Sequence, residues 1–128
     1  MQIELTYDNG TPLDTESILG RIKLSKGEES IEEDNTYLDS WLIALIEGLD
    51  RIERNQRVSI DLVEEPDPLE LDWTSGRLTI QYKSQKLVLD GKEELRTALK
   101  ESARSMASKF DSVEETLLLK RVLDFAAS

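Results

Sequence analysis

An α+β fold is predicted for this chain: one antiparallel sheet of about five to six strands packed against three helices, two of them C-terminal. Three observations predict it. Segments of period two and segments of helical period are segregated along the chain, in the order strand-strand, helix, meander, helix-helix. Residues 69–82 read as a hairpin whose six apolar side chains share one face. No repeat, low-complexity tract or linker interrupts the 128 residues, so 1–128 reads as a single α+β domain.

The first element alternates Ile3, Leu5 and Tyr7 against Gln2, Glu4 and Thr6, the pattern of a half-buried strand. Asp8-Asn9-Gly10 ends it with residues that tolerate positive φ. A second strand over 18–24 places Ile18, Gly20, Ile22 and Leu24 on one face. Residues 25–35 are charged and without period, and read as a solvated loop.

A helix follows. Thr36 and Asp39 have capping-box spacing, with Asn35 as a competing cap. Leu38, Trp41, Leu42, Leu45, Leu49 and Ile52 recur at helical spacing, and Ile43, Ala44 and Ile46 widen the apolar arc. This helix should be covered on more than one side and form the centre of the core. Gly48 inside it costs about 1 kcal/mol against Ala, which points to a close packing approach.

Val58, Ile60 and Leu62 form the next strand, and Glu-Glu-Pro-Asp-Pro at 64–68 stops it. Folding at Ser75-Gly76 then pairs Trp73 with Leu78, Leu71 with Ile80 and Leu69 with Tyr82. A turn at Ser84-Gln85 would continue the meander, with Leu87 beside Tyr82 and Leu89 beside Ile80. The first closing helix runs over 92–110 with Leu95, Leu99, Ala103, Met106 and Phe110 inward. The second starts at Ser112, where Glu115 completes a capping box, and buries some of Val113, Leu117, Leu118, Val122 and Phe125.

Composition bounds the chemistry. The chain has no histidine and no cysteine, and a formal charge of -11. It therefore lacks the side chain that titrates near neutrality, and the thiolate used in redox and soft-metal chemistry. Serine triads are closed by the missing histidine. No Walker loop, Gly-x-Gly-x-x-Gly or Gly-x-Ser-x-Gly occurs, and no segment has EF-hand spacing. Neither a catalytic residue nor a metal or other cofactor is expected. The longest apolar stretch, 41–46, is far short of the ~20 residues that span a bilayer. With no signal-like N-terminal segment, the expected location is cytoplasmic.

The charge is uneven. Residues 1–91 hold 20 acidic and 9 basic side chains, whereas 92–128 hold 7 of each. The excess concentrates at Glu28, Glu29, Glu32, Glu33 and Asp34, and again at Asp61, Glu64, Glu65, Asp67, Glu70 and Asp72. A field of this sign repels nucleic acid and anionic membrane and attracts a basic protein. Lys92, Arg96, Lys100 and Arg104 form a basic stripe, but Glu93, Glu94 and Glu101 interleave with it, as on a solvated face. Trp41 and Trp73 fit core positions; Trp73, at a strand end, is also a candidate anchor for a protein partner.

Tyr37-Leu38-Asp39-Ser40-Trp41-Leu42-Ile43-Ala44-Leu45-Ile46-Glu47-Gly48-Leu49 resembles the helix of several small bacterial immunity proteins, the cognate inhibitors of contact-dependent or polymorphic toxins. In those families a Gly-x-Ile strand and an acidic loop precede a Tyr-x-x-x-Trp-x-x-Ala-Leu helix, and a meander and terminal helix follow. Gly20, Ile22, the acidic segment and this helix keep that order over residues 17–100. Where such families often carry Trp-Ser before the helix, this chain has Asp34-Asn35. The resemblance implies a small, acidic, non-catalytic inhibitor that works by occlusion.

The expected function is therefore stoichiometric inhibition of a basic toxin or nuclease domain. Glu28, Glu29, Glu32, Glu33, Asp34, Glu64, Glu65, Asp67 and Trp73 are the candidate partner-binding residues. The alternative is a cytosolic adaptor or assembly subunit, in which the C-terminal helices form a homodimer seam or a heteromeric groove.

Overall fold

The computed structural model of the chain describes residues 1–7, 18–109 and 117–127. It is α+β, but its strands form two antiparallel sheets of three and four strands. The chain order is β1 (Gln2–Tyr7), β2 (Leu19–Lys26), β3 (Glu29–Tyr37), α1 (Leu38–Ile52), β4 (Arg57–Ile60), β5 (Leu69–Thr74), β6 (Arg77–Tyr82), β7 (Gln85–Leu89), α2 (Lys92–Lys109) and α3 (Leu117–Ala127). The sheet orders are β1-β2-β3 and β4-β5-β6-β7.

The extra strand, β3, is the segment expected to be a loop. Its sequence carries one aliphatic residue, Ile31, because one flank pairs with β2 and the other meets β7 through side chains. The Gln85 side-chain amide accepts from the Glu32 backbone N–H at 2.8 Å and donates to the Glu32 carbonyl at 3.1 Å. A carboxylate oxygen of Glu29 accepts the Val88 N–H at 3.2 Å. The Lys83 ammonium donates to Glu33 at 3.2 Å. These contacts run in opposite chain directions, so the two sheet edges are antiparallel neighbours one side chain apart. No backbone ladder joins them, and the expected single sheet is divided at this seam.

Pairing of β2 with β3 is interrupted where Gly20 faces Thr36 and Ile22 faces Glu33. One residue of β2 there opposes two of β3, and Asn35 has φ +50°. This is a bulge held by a residue type that tolerates the left-handed region. Asn35 is thus a bulge residue, not a helix cap. Nor does Thr36 cap: its hydroxyl accepts the Trp41 indole N–H at 2.9 Å. The N-cap is Tyr37, without a side-chain bond, and the Leu38 N–H is satisfied by the Ile18 carbonyl at 2.8 Å.

The core sits on α1. Leu38, Trp41, Leu42, Leu45, Leu49 and Ile52 are buried, as are Ile22, Leu24 and Ile31 of the first sheet and Leu69, Leu71, Leu78, Ile80, Tyr82, Leu87 and Leu89 of the second. Gly48 has the expected packing role: a Cβ there would stand 2.9 Å from both Leu71 methyls. The hairpin register is as expected, with Leu69 opposite Tyr82, Leu71 opposite Ile80 and Trp73 opposite Leu78. The β7 register is shifted by two residues from expectation: Leu87 faces Ile80 and Leu89 faces Leu78. The turn falls at Lys83-Ser84, with Lys83 at φ +56°. A shift of two keeps the same face inward, so hydrophobic pattern alone does not discriminate the two registers.

Helix α2 buries Leu95, Leu99, Ala103 and Met106 as expected, and Val122 of α3 is buried. The Asp8-Asn9-Gly10 turn, Phe110, Val113 and the Ser112–Glu115 box lie outside the described residues, as do the side chains of Leu117 and Leu118.

Two substitutions test this frame. A Cβ at Gly20 would stand 2.0 Å from the Thr6 carbonyl oxygen, which belongs to the backbone and yields little. Gly20→Ala should lower the unfolding free energy by about 3 kcal/mol, while Gly91→Ala, with nothing within 4 Å, should change it by no more than about 0.5 kcal/mol. Urea titration measures both. Gln85→Ala removes both amide bonds of the seam and should cost about 1–3 kcal/mol, with faster hydrogen exchange at the Glu32 amide.

Candidate interaction surface

The two acidic segments have different situations in the fold. In residues 28–34 most carboxylates face cations or donors of this chain. Arg21 bonds Glu32 at 2.9 Å and Asp34 at 3.1 Å, and Lys23 approaches Glu32 at 3.6 Å. Glu33 meets Lys83, and Glu29 serves the seam. Among the described residues, Glu28 alone of the five makes no hydrogen bond or ion pair. Exposed ion pairs of this kind contribute about 0–1 kcal/mol each, so they hold side chains in place more than they stabilise.

The connection from β4 to β5 presents its charge differently. Leu62 is buried beneath it as an anchor. The Val63 N–H donates to the Ser40 hydroxyl at 2.9 Å, and the Glu65 N–H closes a turn onto the Leu62 carbonyl at 3.2 Å. Glu64 has φ +60°, a conformation with a steric cost for a non-glycine residue. Pro66 and Pro68 fix two further φ angles. The 61–67 loop is therefore held in shape by contacts within the chain. It displays Asp61 and Glu64, both exposed and without a hydrogen bond or ion pair among the described residues. Between them Val63 is 50% exposed, the one large apolar side chain among the described residues that is mainly in solvent.

Behind the loop lies a polar cluster that joins both sheets. Glu33 has the parity of Ile31 and faces Ile22, so it points toward the interior and not outward with Glu32. The Tyr82 hydroxyl donates to Glu65 at 2.9 Å, and the Glu33 carboxyl lies beside Glu65. Lys83 bonds Glu33 and sits 5.2 Å from the Tyr82 ring centroid. Tyr82 is 1% exposed and meets Trp41 edge-on, with ring centroids 4.8 Å apart. Burial raises the pKa of Glu65; the Tyr82 bond opposes this and the adjacent Glu33 adds to it. Tyr82 is raised by burial and then by Glu65, and Lys83 is raised by its bond to Glu33. Asp67, with Pro68, Glu70, Gln81 and Lys83, lines a cavity of about 160 Å³ at the loop's foot.

Of the nine candidate residues, the structure brings Glu33, Glu65 and Asp67 together around Lys83. It separates Glu29, Glu32 and Asp34 from them. Trp73 lies at the opposite end of β5 from the loop, about 13 Å along the strand from Leu69. It is half-buried under the Lys92 ammonium, 4.7 Å from the ring centroid, and stands apart from the 61–67 loop. Lys92 apart, Arg96 of the basic stripe pairs with Glu53 at 3.1 Å and with Glu93. Asp61 and Val63, exposed beside Glu64, are not among the residues that the sequence singles out as partner-binding candidates. Only the break in alternation after Leu62 marks Val63, and nothing in composition marks the positive φ at Glu64.

No group of three or more acidic side chains suited to hold a metal occurs among the described residues. No helix among them is long and apolar enough to cross a membrane. No family model, curated protein or solved structure matches this chain.

The cluster has a pH signature. Because the folded state raises the pKa of Glu65, it holds that proton more tightly than the unfolded chain, and this contribution to stability falls as pH rises above the ordinary glutamate range. Glu65→Gln keeps an acceptor for Tyr82 and adds a donor toward Glu33. Relative to the parent, Glu65→Gln should gain stability between acid and neutral pH, as urea midpoints across that range would register.

Proposed function

We propose that this protein is a non-catalytic acidic binding protein that inhibits a basic toxin or nuclease domain stoichiometrically, in the manner of an immunity protein. The observation that carries the reading is the 61–67 loop. It is held in shape from behind and presents Asp61 and Glu64 around an exposed Val63. An anionic rim about an apolar centre is the arrangement by which surplus carboxylates steer a cationic partner and a desolvated contact retains it. Preorganisation lowers the ordering cost of binding, which is what the turn, the two prolines and the Ser40 bond supply. Glu28 extends the negative field. Against a nuclease, the carboxylates would stand where substrate phosphate stands and close the site by occupation, without making or breaking a bond.

Association through the C-terminal helices draws less support. Val122 is buried, and Phe125 and Ala126 pack on the same core, so these apolar side chains of α3 are engaged within the chain.

The test starts from the cationic protein that the tagged chain captures from its host. Equimolar addition of the purified chain should abolish that protein's toxic or nuclease activity. Asp61→Asn combined with Glu64→Gln should slow association about tenfold at low salt and leave dissociation nearly unchanged. A partner whose activity survives equimolar addition overturns the reading, as does association indifferent to both salt and these substitutions.

A further inference from the structure

We propose that the free edge of β1 is a strand-addition site, which takes an extended segment of a partner protein bearing alternating basic and small apolar side chains. The site shares no residue with the 61–67 loop and does not rest on it. Among the described residues β1 pairs with β2 alone, so its other edge has no strand partner. A groove of about 310 Å³ runs beside it, lined by Gln2, Ile3, Glu4 and Leu5 on one wall. Successive side chains of a strand point to opposite faces, so a groove touched by four consecutive residues follows the strand's edge and not one of its faces. Ala98, Glu101, Ser102 and Ser105 of α2 form the other wall. Their spacing of three and four residues puts them on one helix face, and three of the four are small. A strand edge facing a helix wall of small side chains is the geometry in which an extended peptide is gripped through its backbone.

The edges of the two sheets are treated differently. β4, the outer strand of the second sheet, is only four residues long and starts with Arg57. β1 has six residues in regular register with β2 and contains no proline, lysine or bulge, three of the devices that block an edge. Charge specifies the occupant. Across the outer face of the first sheet the registers align Glu32 of β3, Lys23 of β2 and Glu4 of β1 in one row. The alternation ends on the exposed Glu4, and the next place in the row belongs to a cation. Glu101, exposed on the helix wall, adds to the same potential. A second copy of this chain is disfavoured there, because centring its Glu4 on its own image sets like charges opposite.

The probe is a synthetic heptapeptide of alternating Lys and Val, added to the full chain, with amide hydrogen exchange and chemical shifts read residue by residue. Exchange should slow along β1, and a matching peptide of alternating Glu and Val should have no effect. Glu4→Lys should weaken binding about tenfold or more. Ser105→Trp, an exposed position that fills the groove, should weaken it comparably, and Asp61→Asn with Glu64→Gln should leave protection of β1 unchanged. Binding that ignores Glu4→Lys and Ser105→Trp overturns the proposal. So does protection confined to the 61–67 loop, or concentration-dependent protection of β1 without peptide, which would make a second copy the occupant.

Discussion

The two sheets meet at a side-chain seam centred on one glutamine amide. Gln85 presents a donor and an acceptor in the same sense as a peptide group, and Glu32 receives them as a strand neighbour would. The Glu32 N–H and carbonyl and the Val88 N–H thus find side-chain partners across the seam without a backbone ladder. What this joint positions is more important than its own strength. It fixes β3 so that Glu33 turns inward beside Glu65, Tyr82 and Lys83, while Glu32 turns outward toward Arg21 and Lys23.

From there a chain of contacts reaches the core. Glu65 accepts from Tyr82, Tyr82 packs edge-on against Trp41, and the Trp41 indole donates to Thr36 just before the helix. The 61–67 loop is thus tied to the helix at the centre of the molecule at two points, through Tyr82 and through the Ser40 hydroxyl. Its acidic face has the rigidity of the core behind it. The acidic residues of 28–34, by contrast, contribute mostly to holding one strand in place. Similar composition in two segments serves different ends, and only the partners of each carboxylate distinguish them.

Much of the fold was legible in the sequence where side chains alternate cleanly. The 69–82 hairpin was readable to the residue, since only one register puts Leu69, Leu71, Trp73, Leu78, Ile80 and Tyr82 in facing pairs about Ser75-Gly76. The packing role of Gly48 was legible because a helix interior otherwise disfavours glycine. β3 was not legible, for its pairing rests on Gln85, fifty-three residues distant from Glu32, and local pattern carries no trace of that. The β7 register was ambiguous in principle, as both alternatives bury Leu87 and Leu89. Of the candidate surface, charge in the sequence marks Glu33, Glu65 and Asp67, but Val63 owes its exposure to a backbone turn that composition does not encode.

The two tryptophans occupy contrasting surroundings, and that contrast makes the molecule its own optical gauge. Trp41 is sealed in the core against Tyr82, whereas Trp73 sits at a rim with the Lys92 ammonium above its ring. A dry indole emits at shorter wavelength than a hydrated one, so the two rings should contribute at different wavelengths, Trp73 to the red of Trp41. Soluble quenchers reach Trp73 first. Loss of structure at the interior and at the sheet's end can thereby be followed separately in one sample, with no dye attached.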